Sequence, residues 1–161
     1  MIFHVLNGDG LAGNFDLEGE KVICRECLIE GEHTTESLAK FWNTRAKFIE
    51  TDYQSGNYKG FVKAEFDKLN KLQSVDEVNL WFGNEAFCQV NLWFIFTLLK
   101  ENVTEIYRVF PDVNSWNCSF DDLGNCLRSR RKLTNEDLKL GKQLWKAFCY
   151  KDSEELQDLS E

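Results

Sequence analysis

Polar residues able to bind or transform a ligand gather at three points of the sequence. Asn7-Gly8-Asp9-Gly10 closes a short apolar run. Arg25 and Glu26 lie in a second run that ends at Glu30-Gly31, and Gly83-Asn84-Glu85 closes a third, with Gln89 one helical turn further on. Asp9 or Glu26 is the candidate general base. Arg25, or Arg131 from the basic run Arg128, Arg130, Arg131 and Lys132, is the candidate anion partner. Gly8 and Gly10 would let a phosphate approach backbone N–H groups, although the dinucleotide three-glycine spacing is not met and no P-loop lysine follows. If Asp9, Glu26, Glu30 and Glu85 converge, their carboxylates could hold a divalent ion. Beside these readings stands a plainer one. Asn, Asp and Gly at such places also make turns and caps, and a short basic run is commonly a solvated loop. Cys24-Arg25-Glu26-Cys27 has the CxxC spacing, with Cys118 and Cys126 as further thiols to recruit. Inside a strand its two thiols point to opposite faces, so packing explains it better than zinc or redox chemistry.

These residues need elements to carry them. Ile2-Phe3-His4-Val5-Leu6 reads as a buried strand, with His4 a core or face residue, and 11–17 as a short helix weakened by Gly13. A second strand is read over 21–28. Thr34 or Thr35 can cap a helix that carries Leu38, Phe41, Trp42, Phe48 and Ile49, and after the polar stretch 51–57 an amphipathic helix spans 61–72. Residues 77–83 give the clearest third strand. Asn84 is the expected cap of a largely buried helix running to about 101, and 105–110 is a fourth strand. The stretch 112–132 has no readable pattern. Thr134 and Asp137 form a capping-box start for a helix ending near Tyr150, and 152–159 adds a short acidic one.

Strands that alternate with helices of this length imply parallel pairing, in a small three-layer α/β sandwich of about four strands ordered 2-1-3-4. A single domain over 1–161 is expected, with 1–110 forming the sheet core and 111–161 a helical C-terminal extension. In such sheets ligands bind beyond the carboxyl ends of the strands, at the switch point of strand order. That point lies between the first and third strands, and it gathers Asn7, Asp9, Gly10, Arg25, Glu26, Glu30, Glu85 and Gln89.

Composition narrows the function classes. Nineteen Lys and Arg against 27 Asp and Glu give a formal charge of −8, which opposes nonspecific binding to nucleic acid or anionic membranes. The most apolar run, 90–99, is far short of the ~20 residues that span a bilayer. The first residues show no basic-then-apolar leader pattern. A cytoplasmic protein with reduced thiols is the expectation, with Cys88 and Cys149 as small core residues.

Asn7-Gly8-Asp9, Arg25-Glu26-Cys27-Leu28-Ile29-Glu30-Gly31 and Leu80-Trp81-Phe82-Gly83 with Glu85 and Gln89 resemble blocks of the bacterial domain-of-unknown-function 1835 family. Arg131-Lys132-Leu133-Thr134 and Leu144-Trp145-Lys146-Ala147-Phe148 resemble its C-terminal blocks, so the likeness runs from about residue 2 to 159. It implies a bacterial origin and a Rossmann-like domain, and no established activity. The chain departs from the pattern at Gly10, where the family commonly has serine, at Gly31-Glu32, where it often has glycine-proline, and at Glu85, where it commonly has aspartate. Gly8-Asp9-Gly10-Leu11 also resembles the Gly-Asp-Ser-Leu block of SGNH-type hydrolases. The nucleophile position is occupied by Gly10, and neither His4 nor His33 lies near the C-terminus, which argues against a serine–histidine triad.

Two functions follow as expectations. One is an enzyme or binding domain for a phosphorylated or nucleotide-like small molecule at the strand ends. The other is a noncatalytic interaction or regulatory domain that meets a protein partner through aromatics such as Trp42 or Trp116 and the acidic tail.

Overall fold

A computed structural model describes residues 1–52, 56–111 and 120–160. Trp116, Cys118 and part of the polar stretch 51–57 lie outside the described residues. Four parallel strands form the sheet: β1 (Ile2–Leu6), β2 (Glu20–Ile23), β3 (Glu77–Trp81) and β4 (Glu105–Val109). The order is β2-β1-β3-β4, as the sequence predicts, with a fifth strand, β5 (Arg131–Lys132), added antiparallel to β4. The stretch 111–161 therefore supplies an edge strand as well as helices, and only two residues of it pair. Leu133 N then donates to Ile106 O (2.9 Å), and the chain leaves the sheet into the next helix.

Alternation along the strands separates two cores. Phe3, Val5, Val22, Val78, Leu80 and Ile106 face one side. Against them pack α2 (Leu38–Asp52), α3 (Ala64–Asp67), α4 (Ala86–Leu98) and α6 (Asn135–Tyr150). α3 sits between a π-helical turn (Lys59–Lys63) and a 3-10 turn (Lys68–Lys71), so the expected helix over 61–72 is a composite. Leu6, Trp81 and Val109 face the other side and are covered by α1 (Asp9–Ala12), Phe15 and α5 (Phe120–Arg128). α7 (Ser153–Ser160) packs on α6. The fold is an α/β three-layer sandwich of Rossmann-like arrangement. Among the described residues no helix is long and apolar enough to cross a membrane.

Local chemistry explains the boundaries. Thr134 and Asp137 form the foreseen capping box at α6. Glu85, not Asn84, occupies the N-cap of α4 and caps it without its side chain. β2 ends at Ile23 rather than near Leu28. Cys24 N still donates to Leu6 O (2.8 Å), but beyond it the backbone bonds turn to side chains. Asn91, wholly buried in α4, accepts from Leu28 N (3.0 Å) and donates to Glu26 O (2.7 Å). A polar side chain inside the apolar helix thus replaces a neighbouring strand, because buried backbone groups need partners. The CxxC pair consequently lies in a loop, not in a strand. The five described cysteines are free thiols.

Candidate functional site

β1 and β3 diverge at their carboxyl ends, the first into α1 on one face and the second into α4 on the other. Asn7 fills the crevice between them. Its amide donates to the Cys88 thiol (2.9 Å) and its carbonyl accepts from Asn91 (3.0 Å). Burial raises the pKa of the Cys88 thiol, so it stays protonated. Gly8 takes φ +94, where a side chain would be strained, and turns the chain into α1. Gly10 lies within that short helix. Asp9 is exposed and accepts from Arg25 Nε through both carboxylate oxygens (2.9 Å each). Arg25 also donates to Phe61 O (3.2 Å), stacks on the Phe61 ring (4.2 Å) and approaches Glu65 (3.7 Å).

Glu26 is not a free base. Its carboxylate is wholly buried and receives Arg45 Nη2 at 2.8 Å, Arg45 Nε at 3.3 Å and the Tyr58 hydroxyl. Arg45 is equally buried and spends its other donors on Glu30 O (2.7 Å) and Cys27 O (3.4 Å). This pair fastens the loop after β2 to α2. The Glu30 side chain is exposed, and Glu85 folds back over Gly83 at the start of α4. The four candidate carboxylates therefore do not converge. Among the described residues no three of His, Cys, Asp and Glu come together as metal ligands.

The unsatisfied chemistry lies one strand over. Arg108, on β4 opposite Arg131 on β5, is half-buried at the sheet's carboxyl end. Its one short hydrogen bond goes to Gly83 O (2.7 Å). Phe82 O, Asn84 Oδ1 and Gln89 Oε1 each lie at 3.4 Å. All these partners are neutral, and no carboxylate among the described residues pairs with it. Among the described residues its buried Nε has no partner. Burial lowers the Arg108 pKa, and nearby Arg131 adds to the effect. Gln89 donates to Gly83 O (2.6 Å), which aims its carbonyl at Arg108. Arg131 pairs with Asp137 (2.6 Å). These four residues edge a groove of about 200 Å³ walled by Trp93, Phe96, Phe110 and Leu140.

The structure thus separates the candidates. Asn7, Asp9, Gly10 and Glu85 lie just beyond the ends of β1 and β3, Arg25 joins Asp9 from the loop after β2, and Glu26 and the Glu30 backbone are tied to Arg45. Gln89 and Arg131 belong to the groove with Arg108 and Asp137. Sequence reasoning missed Arg108 because it stands alone in an alternating strand, and missed Asn91 because it sits in the most apolar run. A charged residue in the next-to-last place of a strand was the available signal for Arg108. Elsewhere in the basic run, Arg130 grips Glu77 (2.8 and 3.0 Å) and Asn79 (3.2 Å) on the opposite face, and Lys132 pairs with Glu105 (2.5 Å). Of the two aromatics expected to meet a partner, Trp42 is a core residue packed among Phe41, Phe66 and Phe94. No family model, curated protein or solved structure matches the chain.

Proposed function

We propose that the protein binds a small anionic molecule at the carboxyl ends of its strands, in the groove edged by Gln89, Arg108 and Arg131. The carrying observation is Arg108. Among the described residues this half-buried guanidinium touches only neutral groups, so it has lost hydration without gaining a counter-charge from them. An anion in the groove supplies that charge, and arginine suits carboxylate or phosphate oxygens by its fork of donors. The groove opens beside the carboxyl end of β4, one strand away from the β1–β3 switch point at which the general rule for open α/β sheets puts ligands, so Arg108 and not the rule carries the reading. Phosphorylated and nucleotide-like ligands are the anions that the sequence brings to mind. Membership of the 1835 family is proposed on the sequence motifs alone, and it adds no activity.

The test is a thermal-shift panel of inorganic phosphate, nucleoside monophosphates, sugar phosphates and small carboxylates, run on the wild type and on Arg108→Gln. At ~100 times its dissociation constant a ligand adds about 2.7 kcal/mol, a shift of several degrees for a domain of this size. A hit that disappears in Arg108→Gln supports the proposal. A flat panel, or a hit that the substitution leaves unchanged, overturns it.

A second reading, a noncatalytic protein-interaction domain, draws on different residues. Phe61, Phe87 and Phe110 are exposed around this same end of the sheet, in place of the buried Trp42. Under that reading Phe87→Ser weakens capture of a partner protein, while Arg108→Gln leaves it unchanged.

A further inference from the structure

We propose that the ligand of this groove is a monoanion with a compact apolar body, a carboxylate carried on a single aromatic ring or a similar hydrocarbon group. The inference rests on the anion reading above and narrows it by charge, lining and size.

Among the described residues the groove holds two guanidinium groups and one carboxylate. Asp137 is fixed in place. It accepts from Thr134 N (2.8 Å) and Thr134 Oγ1 (2.8 Å) as part of the capping box of α6, and it holds Arg131 at 2.6 Å. Arg131 is thereby paired, and among the described residues one positive charge of the groove, that of Arg108, is left over. A carboxylate matches it one for one. A phosphate monoester above its second ionisation carries close to two negative charges. Its excess charge would stand near Asp137 in a partly desolvated groove, where unmatched charge is costly.

The walls point the same way. Apart from those three charged groups, the polar side-chain groups lining the groove among the described residues are the Trp93 indole N–H and the Gln89 amide, one of whose two N–H groups is committed to Gly83 O. Sugar hydroxyls and base edges would find few partners there, and buried polar groups without partners are expensive. Trp93, Phe96, Phe110 and Leu140 offer instead an apolar and largely aromatic lining, and Phe110 already stacks on the Arg108 guanidinium (4.6 Å). The volume of about 200 Å³ falls below the ~300–1,000 Å³ of sites that enclose drug-sized molecules. It covers about one ring of a ligand, and a complete nucleotide would leave most of its body outside the groove.

The experiment titrates the full chain by calorimetry with three probes of one shape: phenylacetate, phenyl phosphate and neutral phenylacetamide. At pH 7.5 phenylacetate should bind saturably, about tenfold or more tighter than phenyl phosphate, the equivalent of about 1.4 kcal/mol. Phenylacetamide should not bind. Arg108→Gln should remove phenylacetate binding. With no substitution at all, lowering the pH to about 5.5 should strengthen phenyl phosphate relative to phenylacetate, because its second ionisation near ~6 reverses and it becomes a monoanion. Phenyl phosphate binding as tightly as phenylacetate at pH 7.5, with Arg108 required, overturns the monoanion inference and leaves the strand-end anion site standing. Saturable binding of phenylacetamide overturns it by showing that the charge is not read. Absence of Arg108-dependent binding by both anions overturns the site itself, and this inference with it.

Discussion

At the residue scale, two acidic candidates that look alike in sequence have opposite physical positions. Asp9 is an exposed partner of Arg25, and exposed ion pairs contribute about 0–1 kcal/mol. Glu26 is sealed against Arg45 and Tyr58, and breaking such a pair leaves a buried charge alone at a cost of about 3–5 kcal/mol. Asp9→Asn should therefore shift the urea midpoint little, and Glu26→Gln should lower it by the larger amount. Replacing both members, Glu26→Gln with Arg45→Met, should recover part of the loss, since no lone charge then remains buried. Equal effects of Asp9→Asn and Glu26→Gln would contradict this assignment. Residue type alone did not separate the two. The identity of Glu26 was legible, but its partner Arg45, far along the chain on α2, was not.

At the scale of elements, local pattern disclosed the strands, the main helices and the capping box of α6, and the alternation of strand and helix, with the rule for right-handed crossovers, pointed to the parallel sheet and its order. The short β2, the two-residue β5 and the composite helix around α3 depend on tertiary partners such as Asn91 and Ile106, which no local window contains. The packing of α6 on α4 is of the same kind. Gly141 lies where α6 meets α4, and a Cβ there would overlap the Phe96 ring. Among the described residues, a Cβ at Gly124, on α5, would meet only the flexible Arg128 guanidinium, at 3.4 Å. Alanine gains about 1 kcal/mol over glycine within a helix, whereas overpacking a filled core costs about 1–3 kcal/mol. Gly124→Ala should accordingly raise the thermal midpoint, and Gly141→Ala should lower it. Gly141 and Phe96 also line the anion groove, so Gly141→Ala should weaken ligand binding while Gly124→Ala leaves it intact. A stabilised Gly141→Ala would mean that the two helices sit further apart than described.

For the whole molecule, stability should fall on mild acidification, before the carboxylates are protonated. Both histidines are kept neutral by the fold. His4 accepts the Trp81 indole N–H at Nδ1 (3.0 Å), and its Nε2 donates to Glu18 O (3.1 Å). Burial lowers its pKa. His33 packs on Trp145 (5.6 Å) and Phe148 (5.5 Å) of α6, and its buried Nε2 has no partner among the described residues. Burial, then the positive charges of Arg45 and Lys151, hold its pKa down at about 4. In the unfolded chain both groups titrate near ~6.5. Between that value and about 4 the unfolded state takes up protons that the folded state refuses, so stability decreases as the pH falls through this window. For His33, partly open to solvent, the loss is on the order of 1–2 kcal/mol. Carboxylates held below their usual range, Glu65 and Asp137 among them, act lower, and their stabilisation is lost only beneath about 4.5. Urea midpoints at pH 7.5, 6, 5 and 4.5 should decline steadily in the wild type and less steeply in His33→Gln. A wild-type midpoint that stays level from pH 7.5 to 5 would mean that the folded protein accepts the proton on His33. That requires the ring to leave Trp145 and Phe148, and with it the loop after β2 to come away from α6.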